Sequence, residues 1–102
     1  MPMHSPSRPG DMVGHFIEEL GDTISGAARR LGVSRSVLAR LITQESAAVT
    51  PEMAVRIAAV FGSTADHWLR MQASYDASQI RKRAHLINKN LKPYPESTDT
   101  AA

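Results

Sequence analysis

The chain has 102 residues, an apolar share of 42% and a net charge of +2, which fits one compact domain with short tails and one modest core. It contains no cysteine, so disulfides, thiolate zinc sites and cysteine nucleophiles are excluded, and a reducing compartment fits. No apolar run reaches the ~18 residues of a membrane span, and Met1 to Pro9 lacks the apolar stretch of a signal peptide; a cytoplasmic protein that does not engage membranes is expected.

Residues 1–8 read as a flexible tail, residues 9–87 as the folded domain and residues 88–102 as a second tail, rich in Pro, Ser and Thr. Pro9-Gly10 opens the first helical pattern. Val13, Phe16, Ile17 and Leu20 recur at spacings of three and four and make one apolar stripe, which Gly21 terminates. Thr23 is an N-cap for a second helix, with Ile24, Ala27, Ala28 and Leu31 as its buried face. Gly32 sits where a helix ends in a left-handed residue, Val33 follows, and Ser34 caps a third helix whose inner stripe is Leu38, Leu41 and Ile42. Two short helices joined by a Gly-containing turn of three to four residues are what a helix-turn-helix requires.

Gln44 to Val49 reads as a loop. Thr50-Pro51 starts a fourth helix, with Thr as cap, Pro at the first helical position and Glu52 in the first turn. Met53, Ala54, Ile57, Ala58, Val60 and Phe61 line its apolar face, and Gly62 ends it. Ser63-Thr64 begins a fifth helix carrying Asp66, Trp68, Leu69, Met71, Gln72 and Tyr75, reaching toward Ile80. No strand pattern and no internal repeat occur. The expected fold is all-α: a five-helix DNA-binding domain of the Cro/lambda-repressor type with short flexible tails. Phe16, Leu31, Val33, Leu38, Leu41, Ile57 and Trp68 are expected to be mainly buried.

Charge is segregated along the chain. From Thr23 to Gln44 lie Arg29, Arg30, Arg35 and Arg40 with no acidic residue, and from Ile80 to Lys92 lie Arg81, Lys82, Arg83, Lys89 and Lys92 with none. Acidic residues gather at Asp11, Glu18, Glu19 and Asp22, with Asp66 and Asp76 further on. A basic run can be no more than a solvated face. Here, however, four arginines surround a helix-turn-helix turn, an arrangement that presents one face to a polyanion. With Leu38, Leu41 and Ile42 inward, Arg35, Ser36, Ala39 and Arg40 point outward and Val37 lies near the boundary. Arginine reads guanine O6 and N7, and serine serves several bases. The start of the third helix can hold a phosphate on its free N–H groups, and Arg29 and Arg30 are placed to meet the backbone.

Other chemistry has little support. His4, His15, His67 and His85 share no ligand spacing, so no metal is expected. No GxSxG frame, glycine-rich nucleotide loop or Walker motif is present, so neither a catalytic residue nor a cofactor is expected. Trp68 at helical spacing reads as core. The stretch from Ile80 to Lys92 is too sparse in apolar residues for a membrane-lying helix.

Ala28-Arg29-Arg30-Leu31-Gly32-Val33-Ser34-Arg35-Ser36, followed by Leu38 and Leu41, resembles the helix-turn-helix of the XRE/Cro-like class. Arg8-Pro9-Gly10, Val49-Thr50-Pro51-Glu52-Met53-Ala54, Phe61-Gly62 and the string from His67 to Asp76 resemble the HigA/VapI antitoxin family. The resemblance covers roughly Pro9 to Ala77, and its most specific part is Trp68-Leu69, Gln72 and Tyr75-Asp76 one helix after Thr50-Pro51-Glu52. It implies an antitoxin that represses its own operon and neutralises a HigB-type ribonuclease toxin, binding double-stranded operator DNA as a homodimer, nucleoid-associated when bound. By position, Thr23 matches the cap of the second helix, while Ser34, Arg35, Ser36 and Arg40 match the base- and phosphate-facing positions. The candidate DNA-binding set is Thr23, Arg29, Arg30, Ser34, Arg35, Ser36, Val37 and Arg40. Four departures are visible: Ile24 where the family commonly has Gln, Gly26 where Glu is common, His67 where Phe is common, and a Gln44 to Val49 loop without the Asn-Gly common to relatives. A stand-alone regulator of the same class, or an interaction module without a toxin, is the alternative. Dimerisation is expected through Met71, Tyr75 and Ile80, with the basic run Arg81 to Lys92 flanking the seam.

Overall fold

The computed structural model describes residues 6–95. Among them it contains six α-helices and no strand: α1 (Pro9–Glu19), α2 (Ile24–Leu31), α3 (Arg35–Thr43), α4 (Pro51–Phe61), α5 (Ala65–Arg81) and α6 (Ala84–Asn88). The helix count differs from the five expected. Lys82 N–H bends back to the Gln79 carbonyl (3.3 Å) and Arg83 N–H to the Ile80 carbonyl (3.1 Å). These i to i−3 bonds tighten the end of α5. Arg83 then leaves helical geometry, and α6 starts afresh without a side-chain cap.

Four helix starts follow directly from their capping residues. The hydroxyls of Thr23, Ser34, Thr50 and Thr64 accept hydrogen bonds from the N–H groups of Gly26, Val37, Met53 and His67 at 3.0, 3.1, 3.2 and 3.0 Å. Each such cap contributes about 1 kcal/mol. The core gathers Val13 and Ile17 of α1, Ala27, Ala28 and Leu31 of α2, Leu38 and Leu41 of α3, Val49, Ala54 and Ile57, and Trp68 of α5. Trp68 meets the ring of Phe16 edge-on at 6.2 Å, and its indole N–H donates to the Gly62 carbonyl (3.0 Å), so its one polar atom is satisfied. Phe16 and Val33 are half-buried against this core, so they line its edge instead of lying mainly inside it.

Leu20 departs from expectation. It continues the α1 stripe by spacing but is 71% exposed. It is the last α-like residue before Gly21, whose φ of +71° swings the chain away, and the stripe stops one residue short of it. Arg8 departs in the other sense. It falls in the expected tail, yet it is buried, with its guanidinium donating to the carbonyls of Leu41 (2.8 Å), Ile42 (2.6 Å), Gln44 (2.9 Å) and, more weakly, Ala47 (3.3 Å). A cation is thus seated on the negative end of α3.

The motif string of α5 has a physical basis. Gln72 is buried; its carbonyl oxygen accepts from Val49 N–H (2.8 Å) and its amide donates to Asp76 (3.0 Å). It satisfies a buried backbone donor in the loop leading into α4, and Asp76 fixes the orientation of its amide.

Candidate nucleic-acid interface

Two helices and one turn build the site. Gly32 takes φ +73° at the end of α2, and Val33 N–H returns to the Ala28 carbonyl (3.0 Å). This left-handed closure lets the chain start α3 at Arg35, only three residues later. Ser34 then caps α3 through Val37 N–H. No acidic residue lies in the first turn of α3, so the field of its N–H groups is not neutralised.

Burial of Leu38 and Leu41 turns the other side of α3 to solvent. Arg35, Ser36, Val37 and Arg40 are all exposed there, Val37 with 39% of its surface open. Ala39 is half-buried and presents no bulk between Ser36 and Arg40. The Ser34 and Ser36 hydroxyls lie 3.4 Å apart. Arg29, Arg35 and Arg40 form no ion pair with the described residues, which leaves their guanidinium groups available. Thr23 is exposed and uses its oxygen as a cap, so its hydroxyl proton stays free to donate. Arg30 stands apart from this set. Its Nε is 3.6 Å from Asp22, and its side chain borders a groove with Ile17, Leu20, Val60 and Phe61. The groove lining includes no residue of α3.

Sequence reasoning missed the side chains that hold this unit in place. Arg56 of α4 donates to the carbonyls of Leu31 (2.9 Å) and Gly32 (3.3 Å) at the turn, and Glu52 holds its guanidinium at 2.7 and 3.1 Å. The i, i+4 spacing of Glu52 and Arg56 signals the pair, but nothing local signals the turn it grips. Replacing Arg56 by Met is expected to cost about 1–2 kcal/mol, because it frees the last α2 carbonyls; urea unfolding measures it, and an unchanged midpoint would assign those carbonyls to water. Arg8 secures the other end of α3, and its only local signal is the i, i+3 spacing to Asp11, with which it pairs at 2.9 Å.

This arrangement is a helix-turn-helix with a cationic, ungated outer helix. The helix-turn-helix family model HTH_3 matches residues 16–68, and the chain belongs to that family, in its XRE-type branch. It is 34% identical to an HTH-type transcriptional regulator, YddM, of Escherichia coli K12, over 80% of this chain and 86% of that one. It is 31% identical to antitoxin HigA-1 of Vibrio cholerae, over 95% of this chain and 91% of the relative. The fold is that of Pseudomonas aeruginosa antitoxin HigA, solved with the higBA promoter: TM-score 0.72, 24% identity, covering 86% of this chain and 97% of that one.

Proposed function

We propose that this protein is a sequence-specific DNA-binding antitoxin that represses its own toxin–antitoxin operon and neutralises a HigB-type ribonuclease toxin. It acts as a homodimer on double-stranded operator DNA in the cytoplasm, associated with the nucleoid when bound. The observation that carries this reading is the α3 face itself: Arg35, Ser36, Val37 and Arg40 exposed, with both flanks of the helix pinned to the body. The rigid mounting lets a few side chains meet base edges in register. In this assignment Arg35 and Arg40 read guanines, Ser36 hydrogen-bonds a base, and Val37 packs on a thymine methyl. Thr23, Ser34 and Arg29 hold phosphates, and Arg30, engaged with Asp22, contributes charge at longer range. The similarity to HigA-1 of V. cholerae supports the antitoxin role.

Arg35→Ala and Arg40→Ala are each expected to cost about 1–3 kcal/mol on the operator and much less on scrambled DNA. Arg29→Ala is expected to weaken both DNAs equally, since phosphates carry no sequence information. Gel-shift titrations with DNA from upstream of the gene test this; equal losses on both DNAs for Arg35→Ala would make it a phosphate contact. The second reading, a stand-alone regulator or interaction module, draws on Ile24. That side chain is half-buried against the core and offers the DNA backbone no polar group. Recovery of a small basic ribonuclease-like protein with this chain and its DNA from the native host decides for the antitoxin; recovery of DNA alone decides for the regulator.

A further inference from the structure

The last stretch of the described chain is an apolar, basic arm without a partner. From Ala77 to Pro95 it contains Arg81, Lys82, Arg83, Lys89 and Lys92 and no acidic residue. Ile80, Leu86, Ile87, Leu91 and Tyr94 are exposed, Tyr94 by 90%. α6 packs against the end of α5. The radius of gyration is 17.4 Å and the long axis 55 Å, against about 13 Å of gyration for a compact chain of this length; the arm projects from the body instead of folding back on it. Phosphates would account for its cations but not for five large apolar side chains in water.

The opposite features sit at the far ends of α1 and α4. Phe16, Leu20, Val60 and Phe61 line an open apolar groove with Glu19 on its border. The same groove continues to Asp22 and Arg30. Arg30 offsets Asp22, and His15 lies 3.3 Å from Glu19, whose carboxylate stays exposed to solvent. Leu20, the residue its own helix turns outward, forms the lip.

We infer that the arm of one copy docks in the acid-bordered α1–α4 groove of a second copy, with Leu86, Ile87 and Leu91 against Phe16, Leu20, Val60 and Phe61 and the lysines against Glu19. Each surface answers the other in polarity and in sign, and two-fold symmetry makes the contact twice. The inference rests on the homodimer proposed above and joins it through this arm instead of the Met71, Tyr75 and Ile80 face expected from the sequence, of which Met71 and Tyr75 are half-buried within one copy. It leaves the α3 faces of both copies uncovered.

The chain has no cysteine, so single-cysteine variants report this contact cleanly. Leu20→Cys and a mass-tagged Leu91→Cys are mixed under mild oxidation. The expected product is the mixed covalent dimer, well above either self-pair; self-pairs alone, or no covalent product, would overturn the inference. A chain carrying both substitutions that closes within one copy would do the same. Sedimentation supplies a second readout that does not depend on crosslinking. Glu19→Lys, and separately Lys89→Glu with Lys92→Glu, are each expected to weaken the dimer about tenfold, and their combination to restore most of it. A dimer indifferent to all of these variants sinks the arm contact and leaves the homodimer and DNA readings standing. A wild type that stays monomeric at tens of micromolar sinks the homodimer with it, while the Arg35→Ala gel shift still decides the DNA reading.

Discussion

Gly10→Ala is expected to destabilise the protein by on the order of 3 kcal/mol, although helix propensity alone predicts a gain of up to about 1 kcal/mol for that change. Gly10 is buried in the first turn of α1. A methyl group built on it runs into the backbone carbonyl oxygen of Leu41 and lies 2.7 Å from the Arg8 guanidinium. The oxygen belongs to the last turn of α3 and cannot rotate away. The methyl must therefore push α1 off α3 or displace Arg8 from the carbonyls it serves, and both share the same few ångströms. Gly14, one turn on, lies against Ile42 in the same seam, so α1 cannot slide to relieve the strain. Gly26→Ala is the control: its methyl would meet only the Asp22 carboxylate at the surface, a side chain that can turn aside, and a change within about 1 kcal/mol is expected. Thermal unfolding separates the two, since each kcal/mol moves the midpoint of a domain this size by about 4–8 °C. A Gly10→Ala protein as stable as the wild type would mean that α1 and α3 do not approach as closely as the structure has them.

The contrast between the two glycines also marks how far the sequence can be read. Caps and turns are local chemistry, so Thr23, Ser34, Thr50, Thr64 and Gly32 announced four helix starts and the helix-turn-helix turn, and each sits where expected. Leu38 and Leu41 repeat with the helical period, which was enough to leave Arg35, Ser36 and Arg40 on the outer face. Leu20 also obeyed the period but belonged to a helix that ended before its side chain came round to the core. Arg8, Arg56 and Gln72 were out of reach for another reason. Their bonds join residues 23 to 39 positions apart, and no window along the chain contains both partners. Polar side chains ahead of a helix or on its outer turn read as solvent-facing until the element that buries them is known. Arg30 shows the limit within the candidate site: its place beside Arg29 suggested a shared role, but one residue along α2 is a rotation of about 100°, enough to turn it toward Asp22.

Arg8→Met is expected to cost about 4 kcal/mol, the larger of the two effects, because it removes a charge-assisted donor from several carbonyls at once. The Nη1 atom alone reaches Leu41, Gln44 and Ala47, and Nη2 reaches Ile42 and Asp11. These carbonyls end α3 and begin the loop toward α4, where a helix has no backbone donors of its own to offer. Methionine fills much of the volume but leaves the Leu41 oxygen without a donor in a buried setting. The loss stays below the sum of the separate bonds, since Nη1 divides two protons among three acceptors and the Nε atom is itself buried without a partner. Arg8→Lys is expected to recover only part of the difference, because a single ammonium cannot span the Leu41, Ile42 and Gln44 oxygens that a planar guanidinium reaches. Asp11→Asn tests whether the ion pair or the carbonyls carry the effect. Asp11 is two-thirds exposed at its side chain, so its removal is expected to cost less than about 1 kcal/mol. Urea titration of the three variants gives the order Asp11→Asn, Arg8→Lys, Arg8→Met in rising loss. If Asp11→Asn equalled Arg8→Met, the guanidinium would be acting through the carboxylate and not on the end of α3. The same series bears on DNA binding: a protein that keeps its fold at low temperature but loses the Arg8 clamp frees the C-terminal end of α3, and operator affinity is then expected to fall even though Arg8 itself is buried.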